Sequence, residues 1–91
     1  MSKLDKVIEY YKTGFKESYE KEFGGVATVI ANLSKRNTVV TFYIVVRGDH
    51  RNFEDALRFE LSRAQTIKDY IHSYPKIYRK KLEEREWSKK R

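Results

Sequence analysis

The first 25 residues repeat an apolar side chain every three or four positions. The repeat consists of Leu4, Ile8, Tyr11, Phe15, Tyr19 and Phe23. Such spacing places one apolar stripe along an amphipathic helix. Ser2 is a suitable residue to cap its start, and Gly24-Gly25 supplies the backbone freedom on which helices commonly end. The pattern therefore predicts a first helix between these caps, with Gly14 inside it either at a bend or at a close packing contact.

The following segments change to a β-type composition. Residues 26–33 and 38–47 are rich in β-branched and aromatic side chains and predict two strands. The polar residues 34–37 between them fit a hairpin loop. Along the second strand both alternating sets of side chains are apolar or aromatic, whereas a strand in an open sheet normally keeps one polar face. We therefore expect either helices on both sides of the sheet or a second subunit to cover it.

Beyond residues 48–51 the apolar pattern returns to helical spacing. Apolar residues recur in this way over residues 53–74, and Asn52 is the expected N-cap. Pro75 is expected to end or kink this helix and to open a last, basic helix or tail over residues 74–91. The predicted fold is α+β: a small antiparallel hairpin or sheet flanked by helices, in the order α-β-β-α-α, in one domain over residues 1–91.

Size and composition add three expectations. A chain of 91 residues buries a thin core, so we expect a homodimer with the hairpin or the long helix stripe at the interface. The chain has no cysteine, and because small secreted domains usually need disulfides, we expect a cytoplasmic protein. No apolar run has the length of a signal sequence or a membrane span, so we expect no membrane partner.

The net charge of +7 is concentrated at the C-terminus, where residues 75–91 hold eight basic and three acidic side chains. Lysine and arginine neutralise phosphates, and interleaved aromatic rings stack on bases. The candidate nucleic-acid-binding residues here are Lys76, Arg79, Lys80, Lys81, Arg85, Lys89, Lys90 and Arg91, with Tyr78 and Trp87 as candidate stacking or interface residues. A charged end that serves solubility alone is the alternative.

A second set of basic residues lies in and around the predicted sheet. Lys35 and Arg36 stand at the hairpin tip, where they are candidates for contact with a phosphate backbone. Arginine suits phosphate because of its planar fork, which makes candidates of Arg47, Arg51 and Arg58, with Tyr43 as a further stacking or interface residue. The alternatives are a solvated turn and ion pairs with neighbouring carboxylates.

No residue set in the sequence indicates catalysis. His50 and His72 are separate and have no cysteine near them, whereas a zinc site needs three or four ligands at defined spacing. No catalytic or phosphate-binding glycine motif occurs. We expect no enzymatic activity, no metal and no cofactor.

The charge distribution favours a small accessory nucleic-acid-binding protein of the regulatory or mobile-element type. Its sequence preference should be weak, because no DNA- or RNA-reading motif is present. The choice between DNA and RNA stays open. The alternative is a protein-interaction module, such as a phage-encoded inhibitor that docks on a host nucleic-acid-handling complex, since tyrosine and arginine dominate binding hot spots.

Overall fold

A computed structural model of the chain describes residues 2–48 and 52–89, and for residues 85–89 it describes the backbone alone. The elements are α1 (Lys3–Phe23), β1 (Val26–Leu33), β2 (Val39–Arg47), β3 (Asn52–Glu60) and α2 (Ala64–Lys89). The α+β class is confirmed. The order is α-β-β-β-α, so the expected order α-β-β-α-α is wrong in its second half.

The ends of α1 are fixed by the residues that the sequence indicates. The Ser2 Oγ accepts a hydrogen bond from the backbone N–H of Asp5 at 3.2 Å. At the other end the N–H of Gly24 donates to the carbonyl oxygen of Glu20 at 2.9 Å. Gly24 and Gly25 both have positive φ, and a Cβ on Gly25 would collide with the carbonyl oxygen of Arg47. This glycine pair therefore lets β1 begin directly beside the end of β2.

The three strands form one antiparallel sheet in the order β1-β2-β3. The predicted hairpin between β1 and β2 is confirmed. The Ser34 Oγ accepts hydrogen bonds from the N–H groups of Thr38 and Val39, each at 3.1 Å, which closes the loop. At the middle of the sheet Tyr43 of β2 pairs with Ile30 on one side and Ala56 on the other.

Residues 52–60 form a strand where the apolar spacing predicts a helix. Phe53, Asp55, Leu57 and Phe59 turn towards the helices, and the residues between them are exposed. The segment carries both patterns, because its apolar positions satisfy a period of two as well as a period near 3.6. Pairing with β2 over nine registered residues outweighs the local helix propensity, as tertiary context often does.

Pro75 lies inside α2 instead of ending it. A proline inside a helix removes one hydrogen bond and crowds the preceding turn. The ring is almost completely buried beside α1, where it helps to line a groove with Gly14 and Ser18. Burial of the ring offsets the lost hydrogen bond, so residues 74–89 continue α2 rather than forming a separate helix.

The core lies between the sheet and the two helices, which pack on the same face. It comprises Ile8, Tyr11, Phe15 and Tyr19 of α1, Ala27 and Val29 of β1, Val40, Phe42, Ile44 and Val46 of β2, Leu57 and Phe59 of β3, and Ile67 and Ile71 of α2. The helices run in the same direction, since Gly14 faces Ile71 and Glu22 faces Arg79. Among the described elements nothing covers the opposite face of the sheet, so helices on both sides are excluded for this part of the chain.

Candidate nucleic-acid interface

The fold places the candidate basic residues at opposite ends of the molecule. The hairpin tip with Lys35 and Arg36 lies near the start of α1, because Asp5 and Leu33 line one groove together. α2 runs in the same direction as α1, so its basic second half lies at the other end. A single copy of the chain therefore does not gather the two basic groups into one surface.

Tyr43, Arg47 and Arg58 share the face of the sheet that no described helix covers. Tyr43 stands at the centre of β2 and keeps 45% of its surface exposed. Both arginines are exposed, and neither has a carboxylate oxygen within 4.0 Å among the described residues. Glu54 and Glu60 project from the same face of β3, so two positive and two negative charges cancel there. This face is not a basic surface.

Arg79 and Lys81 are engaged within the chain. The guanidinium of Arg79 lies 3.4 Å from Glu22 of α1 and 3.2 Å from Glu83, and the hydrogen bond to Glu22, followed by that to Glu83, raises the pKa of Arg79. The ammonium of Lys81 lies 5.8 Å from the centre of the Tyr74 ring. Arg79 thus connects α2 to α1, whereas Lys81 contacts a ring of α2 itself, and both side chains are less available to a ligand than the predicted tail implies.

Tyr78 is half-buried and packs inside the fold. Its ring centre is 4.8 Å from that of Phe53 and 6.0 Å from that of Tyr74. A role in stacking on a base stays a prediction.

The structure does not describe the side chains of the remaining candidate residues. Arg51, Lys90 and Arg91 lie outside the described residues, as do the side chains of Arg85, Trp87 and Lys89.

The unbroken course of α2 creates a basic surface that the sequence analysis did not define. Lys68, His72, Lys76 and Lys80 follow one another at four-residue intervals, and all four are exposed; we call them the basic stripe. Residues four apart are neighbours on a helix surface, and the stripe extends over about 18 Å. Within the described part of the chain, none of its lysines has a carboxylate oxygen within 4.0 Å.

The interval of the basic stripe is visible in the sequence. The stripe was not recognised as one surface because Pro75, between His72 and Lys76, was expected to end or kink the helix. Lys68 and His72 are therefore the candidate residues that sequence reasoning missed.

A groove between α1 and α2 runs beside the basic stripe. It has a volume of about 450 Å³, and Lys68, His72 and Lys76 line its α2 wall. Lys21 and Glu17 are among the residues that line the α1 wall. The groove thus carries cationic side chains on both walls, and the two carboxylates that line it, Glu17 and Glu22, limit the local positive charge.

Asp55 and Tyr19 form a polar contact inside the fold. The Tyr19 hydroxyl donates to Oδ2 of Asp55 at 3.3 Å. Burial raises the pKa of Asp55, although hydrogen bonds from Ala56 and Tyr19 oppose the shift. Burial, followed by the nearby Asp55 charge, raises the pKa of Tyr19. The pair lies beneath β3, away from the basic stripe, and we assign it a structural role.

The described residues contain no group of three or more histidine, cysteine, aspartate or glutamate side chains placed to hold a metal ion. No helix within the described ranges is long and apolar enough to cross a membrane. Comparisons of the chain with protein-family models, curated proteins and solved structures found no match. A proposal of function therefore depends on the charges and contacts of the protein surface.

Proposed function

We propose that this protein binds nucleic acid through the basic stripe of α2, mainly by contacts to the phosphate backbone. The observation that supports this proposal is the continuous helix through Pro75, which aligns Lys68, Lys76 and Lys80 on an exposed surface. Lysines that have no carboxylate partner can neutralise phosphates, and the nucleic acid then releases the counterions bound to those phosphates. This release is the main source of the affinity that does not depend on sequence.

The charge of the rest of the chain supports the same assignment. The net charge is +7, and residues 85–91 add four basic and one acidic side chain beyond the stripe. The backbone of α2 remains helical to Lys89, so Arg85 follows the stripe within two turns. Contacts to phosphates position a protein without reading bases, so the expected sequence preference is weak.

Salt dependence tests the proposal directly. Binding to a duplex of about 20 base pairs is measured by fluorescence anisotropy at several salt concentrations, where each neutralised phosphate contributes about −0.9 to the log–log slope. The triple variant Lys68→Ala, Lys76→Ala, Lys80→Ala should bind more weakly, and its slope should be shallower by up to about 3. Duplex RNA and single strands of the same length are measured in parallel to distinguish DNA from RNA.

The matched control removes the same charge from α1, at Lys3, Lys6 and Lys12. These lysines lie near the hairpin end of the molecule, and Lys12 already pairs with Glu9 at 3.1 Å. If both triple variants lose the same affinity, binding reflects net charge and not the basic stripe. Absence of any binding at low salt, where attraction between charges is strongest, would rule out the proposal.

A protein-docking function is the second candidate, and it draws on a different observation. The uncovered face of the sheet exposes Ile30 and Tyr43 and has no net charge, which suits a protein partner better than phosphates. On this alternative the chain is an interaction module for a nucleic-acid-handling complex. Substituting Tyr43 and Arg58 would then abolish complex formation, whereas the α2 triple variant would leave it intact.

A further inference from the structure

The outer face of the sheet has an apolar centre, which polar and charged side chains flank. Val26 is 59% exposed, Ile30 56% and Tyr43 45%, and the less exposed Val39 and Val45 belong to the same face. Exposed apolar side chains that are scattered singly are ordinary, but a contiguous apolar patch marks an interaction surface. The same face includes Thr28, Asn32 and Thr41, which suit a sheet interface because they carry no charge.

The strand register fixes where the charges of this face lie. The middle row runs from Ile30 through Tyr43 to Ala56. On β3, Arg58 stands two residues beyond this row on one side, and Glu54 stands two residues beyond it on the other. Opposite charges thus lie at equal distances from the middle of the face.

This arrangement is complementary to itself. Two copies can stack face to face about a two-fold axis that runs across the strands, along the middle row. Each strand then lies over the same strand of the second copy, so that β3 lies over β3. The order of the residues along each strand is reversed between the two copies. Glu54 then faces Arg58 of the second copy, and Arg58 faces Glu54 of the second copy. A two-fold axis along the strands would instead place Arg58 over Asn32. Symmetric pairs of one surface with itself are the commonest form of oligomer.

The remaining charges do not oppose this packing. Glu60 already pairs with Arg63 at 3.2 Å. In the stacked arrangement Arg47 lies over Val39 of the second copy. Glu60 of the second copy is on the strand next to that Val39, so no like charges meet. We infer that the outer face of the sheet is the interface of a homodimer, with Glu54 and Arg58 as the pair that sets its orientation.

The area of the face determines the strength expected of this dimer. Strand spacing and rise give the three strands a width of about 14 Å and a length of about 28 Å, or about 400 Å² for each copy. Two copies then cover about 800 Å² of flat surface, below the usual size of a stable interface. The dimer should therefore be weak, with a dissociation constant on the order of 10 μM. The inference does not rest on nucleic-acid binding, since the basic stripe lies on the other side of the sheet.

A charge exchange tests the inference. Sedimentation equilibrium of the full chain is measured from about 5 to about 500 μM, a range that spans the expected dissociation constant. Glu54→Arg and Arg58→Glu should each weaken self-association by about tenfold or more, because each places like charges opposite one another at two sites. An equimolar mixture of the two variants should form a heterodimer. In that heterodimer each contact between position 54 of one copy and position 58 of the other joins opposite charges. The double variant should self-associate like the wild type.

The matched control is Glu17→Arg, which changes the charge equally on the helix side and should leave self-association unchanged. Circular dichroism of each variant establishes that it is folded; both substituted positions are exposed on the strand surface. A wild-type chain that stays monomeric throughout the concentration range would overturn the inference. So would a dimer that is unaffected by the two single variants, or a mixture of them that fails to associate, because the interface would then lie elsewhere.

Discussion

At the scale of single residues, Asp55 shows how burial and hydrogen bonding act against each other. The sequence pattern places Asp55 at the start of a helix, yet the residue lies on a strand that turns it inward, where Tyr19 and the backbone N–H of Ala56 donate to its two carboxylate oxygens. Both hydrogen bonds favour the charged form, but desolvation is the larger effect and raises the pKa of Asp55. The charged carboxylate therefore opposes folding at neutral pH.

The variant Asp55→Asn tests this effect. The unfolded carboxyl has a pKa near 3.8 and the folded one a higher value, so between these values the folded state binds more protons. The contribution of Asp55 to the free energy of unfolding of the wild type therefore becomes more favourable as the pH falls. Asn keeps an oxygen that can accept from Tyr19 and carries no charge. We expect Asp55→Asn to be more stable than the wild type at about pH 7, by an amount that shrinks towards about pH 4.

Urea unfolding of both proteins across this pH range measures the difference between their free energies of unfolding. Glu84→Gln, which removes one exposed negative charge from α2, serves as the control for net charge. A difference between wild type and Asp55→Asn that does not vary with pH would contradict the raised pKa.

At the scale of elements, α1 and α2 approach closely where Gly14 meets Ile71. A Cβ placed on Gly14 would lie 3.1 Å from Cγ2 and 3.2 Å from Cδ1 of Ile71. These distances leave no room for a larger side chain unless the helices move apart. Of the two roles considered for Gly14 from the sequence, a bend and a close packing contact, the structure supports the packing contact.

Gly14→Leu should therefore separate the two helices and destabilise the protein. Overpacking of this kind costs about 1–3 kcal/mol of unfolding free energy, to be measured in urea. Thr13→Leu on the exposed side of α1 is the control and should change stability by less than about 0.5 kcal/mol. Combining Gly14→Leu with Ile71→Ala should destabilise less than the sum of the two single changes, because the second change opens space for the first. Strict additivity would show that the contact does not limit helix packing.

The elements also show how far the sequence determines the fold. The capped helix α1 and the hairpin follow from local signals, namely Ser2, the glycine pair and the loop of residues 34–37. β3 does not, because the apolar residues within 52–60 are compatible with a helical and with an alternating pattern, and pairing with β2 decides between them. The passage of α2 through Pro75 also depends on tertiary packing, since the ring is accommodated beside α1. The basic stripe was missed for that same reason.

At the scale of the whole molecule, the fold separates two surfaces of different chemistry. The helix layer presents the basic stripe to solvent, while the opposite face of the sheet presents exposed apolar side chains such as Ile30 and Tyr43. The core between them is one layer thick, and a chain of this size buries only about two-thirds of the surface that its unfolded form exposes. Covering the outer face would therefore add to the stability of the fold as well as form an interface.

This coupling predicts that thermal stability depends on protein concentration. Association of folded chains stabilises them by mass action, and with a dissociation constant on the order of 10 μM, raising the concentration from about 5 to about 500 μM should add about 1 kcal/mol per chain. For a domain of this size that gain raises Tm by about 4–8 °C. Scanning calorimetry at both concentrations measures the shift. Glu54→Arg should reduce the shift, by about a third for a tenfold loss of association, while leaving Tm at the low concentration nearly unchanged, because Glu54 lies on the exposed side of β3. An equal Tm at both concentrations for the wild type would show that self-association does not contribute to its stability.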